Sequence, residues 1–217
     1  MTAFIATALH DTNSVSSIAE WCNVSAVTVN RILDTISFHR PTLSRTISID
    51  EFKGNAGGEK CQCILVAPVK HAVLDILPSR SQAFPTSYFR DIPKRERHRI
   101  EFFVCDMWRP YTDLAKTFFP NATVVIDKYH FIRQTTWAIE NVRKRLQKTM
   151  PANLRKYYKR SRSLILWSRE ILNAFKYAHI TNGPTEGFNN KIKVLKRTSY
   201  GIRNFEHLRT RVLLTTH

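Results

Sequence analysis

Asp50 closes the alternating stretch "TISIDEF", Asp106 closes the nearly continuous apolar run "IEFFVCDM", and Asp127 closes "NATVVID". A carboxylate at the end of a strand stands where open α/β sheets bind ligands. If the strands of Asp50 and Asp106 are parallel neighbours, the two side chains lie about one strand spacing apart, ~4.8 Å between backbones. Carboxylates so close repel each other unless a cation sits between them. Oxygen-only ligands at that spacing suit Mg²⁺ or Mn²⁺, which also keep waters and phosphate oxygens in their shells. A further carboxylate, Glu186, heads a segment carrying Lys191, Lys193, Lys196, Arg197, Arg203, Arg209 and Arg211. Two readings of Glu186 stand side by side. A Glu near a helix start can serve only the helix dipole, or it can bind a cation while its basic neighbours hold a polyanion.

The elements that must position these groups follow from pattern and punctuation. "TISIDEF" alternates as a strand, "GNAGG" is a turn, "KCQCILVAPV" a second strand, "KH" a tight connection and "AVLDILPSR" a third strand. "SQAFPTSYFRDIPKRERHR" reads as a helix interrupted by prolines, and "WRPYTDLAKTFFP" as another. "IEFFVCDM" and "NATVVID" are apolar enough to be strands covered on both faces. From Lys128 onward the chain reads as helical. An antiparallel meander followed by β-α-β-α gives a mixed α/β sheet, and right-handed crossovers favour the order 3-2-1-4-5. In that order Asp50 and Asp106 are neighbours. Asp127 is one strand further away and is expected to support His130 or to cap the next helix. Glu51 points to the opposite face, while Asp75, Asp91 and Asp113 read as solvated.

Residues 14–36 read as two short helices around a tight turn at Asn23, a residue that tolerates the left-handed conformation. Ser25 can cap the second helix. In a helix-turn-helix the second helix enters a major groove, which would turn Ser25, Thr28, Asn30 and Arg31 toward DNA; such pairs also occur as plain packing elements. The charge distribution points the same way. The 217-residue chain has a formal net charge of +17. Residues 1–127 hold 14 Lys/Arg against 13 Asp/Glu, whereas residues 128–217 hold 20 against 4. A nearly neutral front and a basic back suit a chain whose second half lies along an acidic polymer, DNA or RNA. No apolar run approaches the ~20 residues of a membrane span, and "MTAFIATALHD" lacks the cationic start of a signal peptide. Cys22, Cys61, Cys63 and Cys105 contain no C-x-x-C pair and read as free thiols.

"SIDEF", "VCDMWRPY", "FPNATVVIDKYHFIR" and "TNGPTEGFNNKIKVLKRTSYGIRNFEHLRTR", in that order behind a helix-turn-helix, resemble the signature blocks of bacterial DDE transposases of the ISL-three insertion-sequence group. The resemblance spans roughly residues 14–217. It implies a ribonuclease-H-like catalytic core over residues 41–217 and a helix-turn-helix DNA-binding segment over residues 1–40. It places the family's acidic triad on Asp50, Asp106 and Glu186, as both catalytic groups and ligands of two Mg²⁺ or Mn²⁺ ions. It also implies cutting at double-stranded terminal inverted repeats and joining of the 3′-hydroxyl to target DNA, by a homodimer on DNA in the bacterial cytoplasm. Asn182, Asn189, Lys191, Lys193, Lys196, Arg197 and Arg203 are then expected along the DNA. Family members usually begin with a cysteine-rich zinc-binding module, whereas this sequence opens just ahead of the helix-turn-helix. They also carry a long helical insertion between the second and third acids. Here 80 positions separate Asp106 from Glu186, and "RKYYKRSRSLILWSREILNAF" reads as two ends of that insertion joined near residues 160–167. The competing readings are a non-catalytic DNA-binding decoy or repressor derived from a transposase, and a structure-specific nuclease on the same core.

Overall fold

A computed structural model describes residues 1–146 and 167–216. Its sheet contains β1 (Thr46–Phe52), β2 (Gln62–Ala67), β3 (Ala72–Leu77), β4 (Phe102–Cys105) and β5 (Thr123–Ile126). The order is β3-β2-β1-β4-β5, as the meander and crossover rules require. β1 pairs antiparallel with β2, and β2 with β3; β1 pairs parallel with β4, and β4 with β5. The two crossovers are short helical connections: α4 (Ala83–Arg90) and α5 (Lys94–Arg97) before β4, and α6 (Arg109–Phe118) before β5. Pro93 separates α4 from α5, because its ring and missing N–H cannot sit inside a helix.

Every residue of β2 is buried, which follows from helices on both faces of the sheet. One face carries Ile47, Ile49, Leu65, Phe103 and Cys105 against Phe89, Tyr111, Leu114 and Phe118 of α4 and α6. The other is covered by the C-terminal helices α8 (Ser168–Lys176), α9 (Gly183–Thr198) and α10 (Phe205–Thr216), which follow α7 (Lys128–Leu146). There Phe52, Ile64 and Ile76 meet Ile192, Leu195, Leu208 and Val212. Val104 and Val125 meet Ala174 of α8 and Ile180. The "GNAGG" turn reaches this layer too: Gly57 donates its N–H to the Arg203 carbonyl at 2.9 Å. Its φ of +63° leaves a side chain strained, and an added Cβ would stand 3.1 Å from Phe205 Cβ.

The N-terminal pair is α2 (Val15–Trp21) and α3 (Ala26–Thr35), preceded by a short α1 (Thr2–Ala8) that sequence pattern did not anticipate. Asn23 takes φ 50° at the turn. Ser14 and Ser25 cap the two helices, accepting from the N–H of Ser17 at 3.0 Å and of Thr28 at 3.2 Å. Ile5, Leu9, Ile18, Val29 and Leu33 form a small core that Leu214 of α10 completes, so these helices lean on the last element of the chain. Among the described residues no helix is long and apolar enough to cross a membrane. All four cysteines are free, and burial pushes the Cys63 thiol up to about 12.

Asp75 departs from expectation. It is 5% exposed and accepts from Arg209 Nε of α10 at 2.7 Å. Period-2 alternation could not anticipate this, since β3 is covered on both faces and the charge that neutralises Asp75 lies 134 residues away.

Candidate active site

The parallel registers decide where the carboxylates meet. Thr46, Ile47 and Ser48 face Phe102, Phe103 and Val104; two places further along the same register, Asp50 comes level with Asp106. Cys105 faces Ile126, so Asp106 is in turn level with Asp127. Residues level on parallel strands project to the same face. The three aspartates therefore form a row across the C-terminal ends of β1, β4 and β5, on the face that carries α8 and α9.

Burial holds these carboxyls in an unusual state. Asp106 is pushed up to about 6, first by removal from water and further by the charge of Asp50; His130 acts in the opposite direction. Burial also raises Asp50 and Asp127. Asp50 is held at both oxygens, by the Glu51 N–H at 2.7 Å and by Asn189 Nδ2 at 3.0 Å. Asp127 accepts from the Tyr129 N–H at 3.4 Å, as a cap for α7. His130 Nε2 stands 3.9 Å from its other oxygen. Asp106 Oδ1 is buried and has no hydrogen-bond partner among the described residues. A buried carboxylate oxygen without a donor is costly, and a hard cation would satisfy it.

Glu186 arrives on α9, which is fixed to β1 by polar contacts. Asn182 Oδ1 accepts from Ser48 Oγ, and Thr185 Oγ1 donates to the same Ser48 Oγ at 3.0 Å. With Asn189 on Asp50, positions 182, 185 and 189 make one helix face that reads β1. Glu186 lies beside that face, exposed in the first turn, and its charge raises Asp127. Among the described residues no three His, Cys, Asp or Glu side chains stand close enough to hold one ion. The expected ligand set of Asp50, Asp106 and Glu186 is thus not assembled as a closed cage. The Asp50/Asp106 pair still fits Mg²⁺, which commonly takes one or two carboxylates and completes its octahedron with waters and substrate phosphates.

Comparison with known proteins gives this geometry its context. The sequence matches the transposase family of the ISL-three DDE group over residues 47–170 and again over residues 163–212. The chain belongs to this transposase family. It is 29% identical over 132 residues to the transposase for insertion sequence element IS1001 of Bordetella parapertussis, covering 58% of this chain and 32% of that protein. It is 44% identical over 45 residues to a protein of Lactococcus lactis named an ATP-dependent protease, covering 21% of this chain and 14% of that protein. The chain thus spans about a third or less of the length of these relatives. The ribonuclease-H-like sheet agrees with membership of the transposase family.

Within this transposase chain the residues expected along DNA divide into two groups. Asn182 and Asn189 are buried against β1 and hold α9 in place instead of lining an open channel. Lys191 donates to the Thr215 carbonyl, and Lys196 to the Lys53 carbonyl. Each lysine spends its ammonium on a backbone carbonyl at the surface, Lys191 exposed and Lys196 half-buried, because α9 packs its flanks against α10 and the end of β1. Lys193, Arg197 and Arg203 are exposed. On α3, Arg31 is exposed, Ser25 and Thr28 bond to each other at 3.0 Å, and Asn30 turns into a cavity wall. His130 is the group that sequence reasoning placed only as a neighbour of Asp127. Its electrostatic reach to Asp50 and Asp106 follows from the strand register, which spacing alone does not give.

Proposed function

We propose that this chain carries the catalytic carboxylates of an insertion-sequence transposase, which cuts DNA at the element's ends and joins the 3′-hydroxyl to target DNA. The level placement of Asp50 and Asp106 at the ends of adjacent parallel strands carries this reading. Asp50, oriented by Asn189, and Asp106, with one oxygen free, would hold divalent cations, with Glu186 completing the set from α9. When bound, a pair of Mg²⁺ or Mn²⁺ ions supplies stabilisation of the attacking and leaving oxygens of an in-line displacement. His130, 3.9 Å from Asp127, favours the ionised form of all three aspartates. Lys193, Arg197 and Arg203 would take phosphates, which positions a duplex without reading it. Sequence reading would fall to α3 through Arg31, Ser25 and Thr28, with two copies of the chain on the paired ends. Residues 1–40 then act as the DNA-reading unit and residues 41–217 as the catalytic one.

The family match comes in two pieces that overlap at residues 163–170, beside the join read near residues 160–167. This supports an internally deleted copy, in which Glu186 is not drawn into one cage with the aspartates. It also gives weight to a second reading, a DNA-bound decoy that binds without cutting. The deciding experiment is a nicking assay with Mn²⁺ and DNA carrying the element's ends. Cutting that disappears in Asp106→Asn supports the enzyme. Tight binding without cutting in either protein supports the decoy.

A further inference from the structure

Successive side chains of α3 turn by ~100° around its axis, so its residues sort by face. Val29 and Leu33 point into the small N-terminal core and are buried. Ala26 and Asn30 turn toward a cavity against the loop joining α9 to α10. Val27, Arg31 and Thr35, spaced i, i+4 and i+8, stand on the side opposite the core, and all three are exposed. Val27 is 60% exposed. A lone exposed valine signifies little, but this one stands in the first turn of the second helix of the pair, one turn before an arginine.

Charge decides what this face can contribute. Residues 1–39 hold one Lys/Arg, Arg31, against Asp11, Glu20 and Asp34. Such a unit has no surplus with which to grip a duplex by its phosphates, a task that suits the basic half of the chain. What α3 can add is discrimination between sequences. The Asp34 carboxylate is engaged by His207 Nε2 of α10 at 2.6 Å, which leaves Arg31 as the charge beside Val27. An aliphatic group and a guanidinium fork complement two features of the major-groove edge, the thymine methyl and the O6/N7 pair of guanine. One helical turn rises ~5.4 Å and base pairs are ~3.4 Å apart, so both features fall within two base steps.

We propose that Val27 and Arg31 determine sequence specificity, Val27 packing on a thymine methyl and Arg31 taking a guanine within two base pairs of it. This rests on the reading of α3 as the helix that enters the major groove, where residues near the start of that helix meet base edges. Ser25 and Thr28, whose hydroxyls bond to each other at 3.0 Å, hold the first turn in shape and so fix where Val27 points. The aspartate row takes no part, so the nicking assay does not bear on this assignment.

The test selects duplexes from a random-sequence pool with the whole natural chain, then measures affinity for the selected duplex and for copies with deoxyuridine at each thymine in turn. Deoxyuridine removes only the methyl group. The selected sequence should hold a thymine and a guanine within two base pairs. Deoxyuridine at that thymine should weaken the natural chain roughly fourfold, the worth of one buried methyl, and should leave Val27→Ala unaffected. Arg31→Ala should lose a preference for that guanine on the order of tenfold, whereas loss of a phosphate contact would weaken all sequences alike. Both side chains are exposed, so the variants should keep the fold, which circular dichroism checks. A selected sequence that the natural chain and Val27→Ala bind alike, with or without the methyl, would overturn the proposal and leave α3 as the reading helix. Uniform weakening in Arg31→Ala would overturn the role of Arg31. Binding with no sequence enriched would overturn the proposal together with the reading of α3.

Discussion

Asp106 is the residue whose chemistry is most exposed to measurement. Its carboxyl is raised from the ordinary range to about 6, chiefly by burial. A folded-state value above the unfolded one means that the stabilising contribution is complete below about pH 4 and is lost as pH rises through about 6. The ion-free protein should therefore lose on the order of 2 kcal/mol of stability between those limits. Urea denaturation across that window should show the loss, and Asp106→Asn should flatten it. Adding Mn²⁺ at pH 7 should restore stability to the natural chain and not to the variant, because a cation replaces the proton that burial demands.

Two contacts between elements set how the site is held. Ser48 of β1 serves both Asn182 and Thr185 of α9. Asn182→Ala should leave the buried hydroxyl with one contact fewer and cost about 1–3 kcal/mol, read by chemical denaturation. A slower nicking rate should accompany it, since Glu186 rides on the same helix. The second contact joins β3 to α10 through Asp75 and Arg209, whose side chains are 7% and 20% exposed. Arg209→Met should destabilise by about 3 kcal/mol, because it strands a buried carboxylate. The paired change Asp75→Leu with Arg209→Met should cost less than the single one. Equal losses would make the pair's charge irrelevant to how α10 is held.

At the scale of the molecule, charge and connectivity give separate predictions. The basic half should make DNA affinity steeply salt-dependent, with a log–log slope of about −0.9 for each phosphate contact. Replacing exposed Lys193, Arg197 and Arg203 with Ala should flatten that slope in a salt titration, whereas replacing Lys196, occupied by a backbone carbonyl, should change it little. Strand transfer should be weaker than cutting. With Glu186 outside a common cage, misplacement of ~1 Å at the reacting atoms costs on the order of a hundredfold in rate. Comparing nicked and joined products for the natural chain and Glu186→Gln measures this. Robust joining that vanishes in the Gln variant would mean that bound DNA and ions draw Glu186 in.

The sequence by itself determined the strands, their order and the placement of Asp106 and Asp127 just past strand ends, while Asp50, read as the end of its strand, lies two residues inside β1. Each of those depends on local signals: alternation in β1, apolar runs in β4, Gly and Pro at the breaks, and the handedness of short crossovers. The four signature blocks determined the family on the same terms, residue by residue. Tertiary structure decided what the polar residues do. Lys191 and Lys193 are alike in sequence and both exposed, yet one reaches the Thr215 carbonyl of α10 and the other only Asn190 of its own helix, because a two-residue step on a helix turns a side chain by more than half a revolution. Asn189 became a support for Asp50, and Asp75 a buried partner of Arg209, through contacts 139 and 134 residues apart. The open face of α3 arises in the same way. Asp34 meets His207 and Asn30 turns to the cavity, leaving Val27 and Arg31 outward, only once the N-terminal helices close over α10, and no spacing along the chain records that closure.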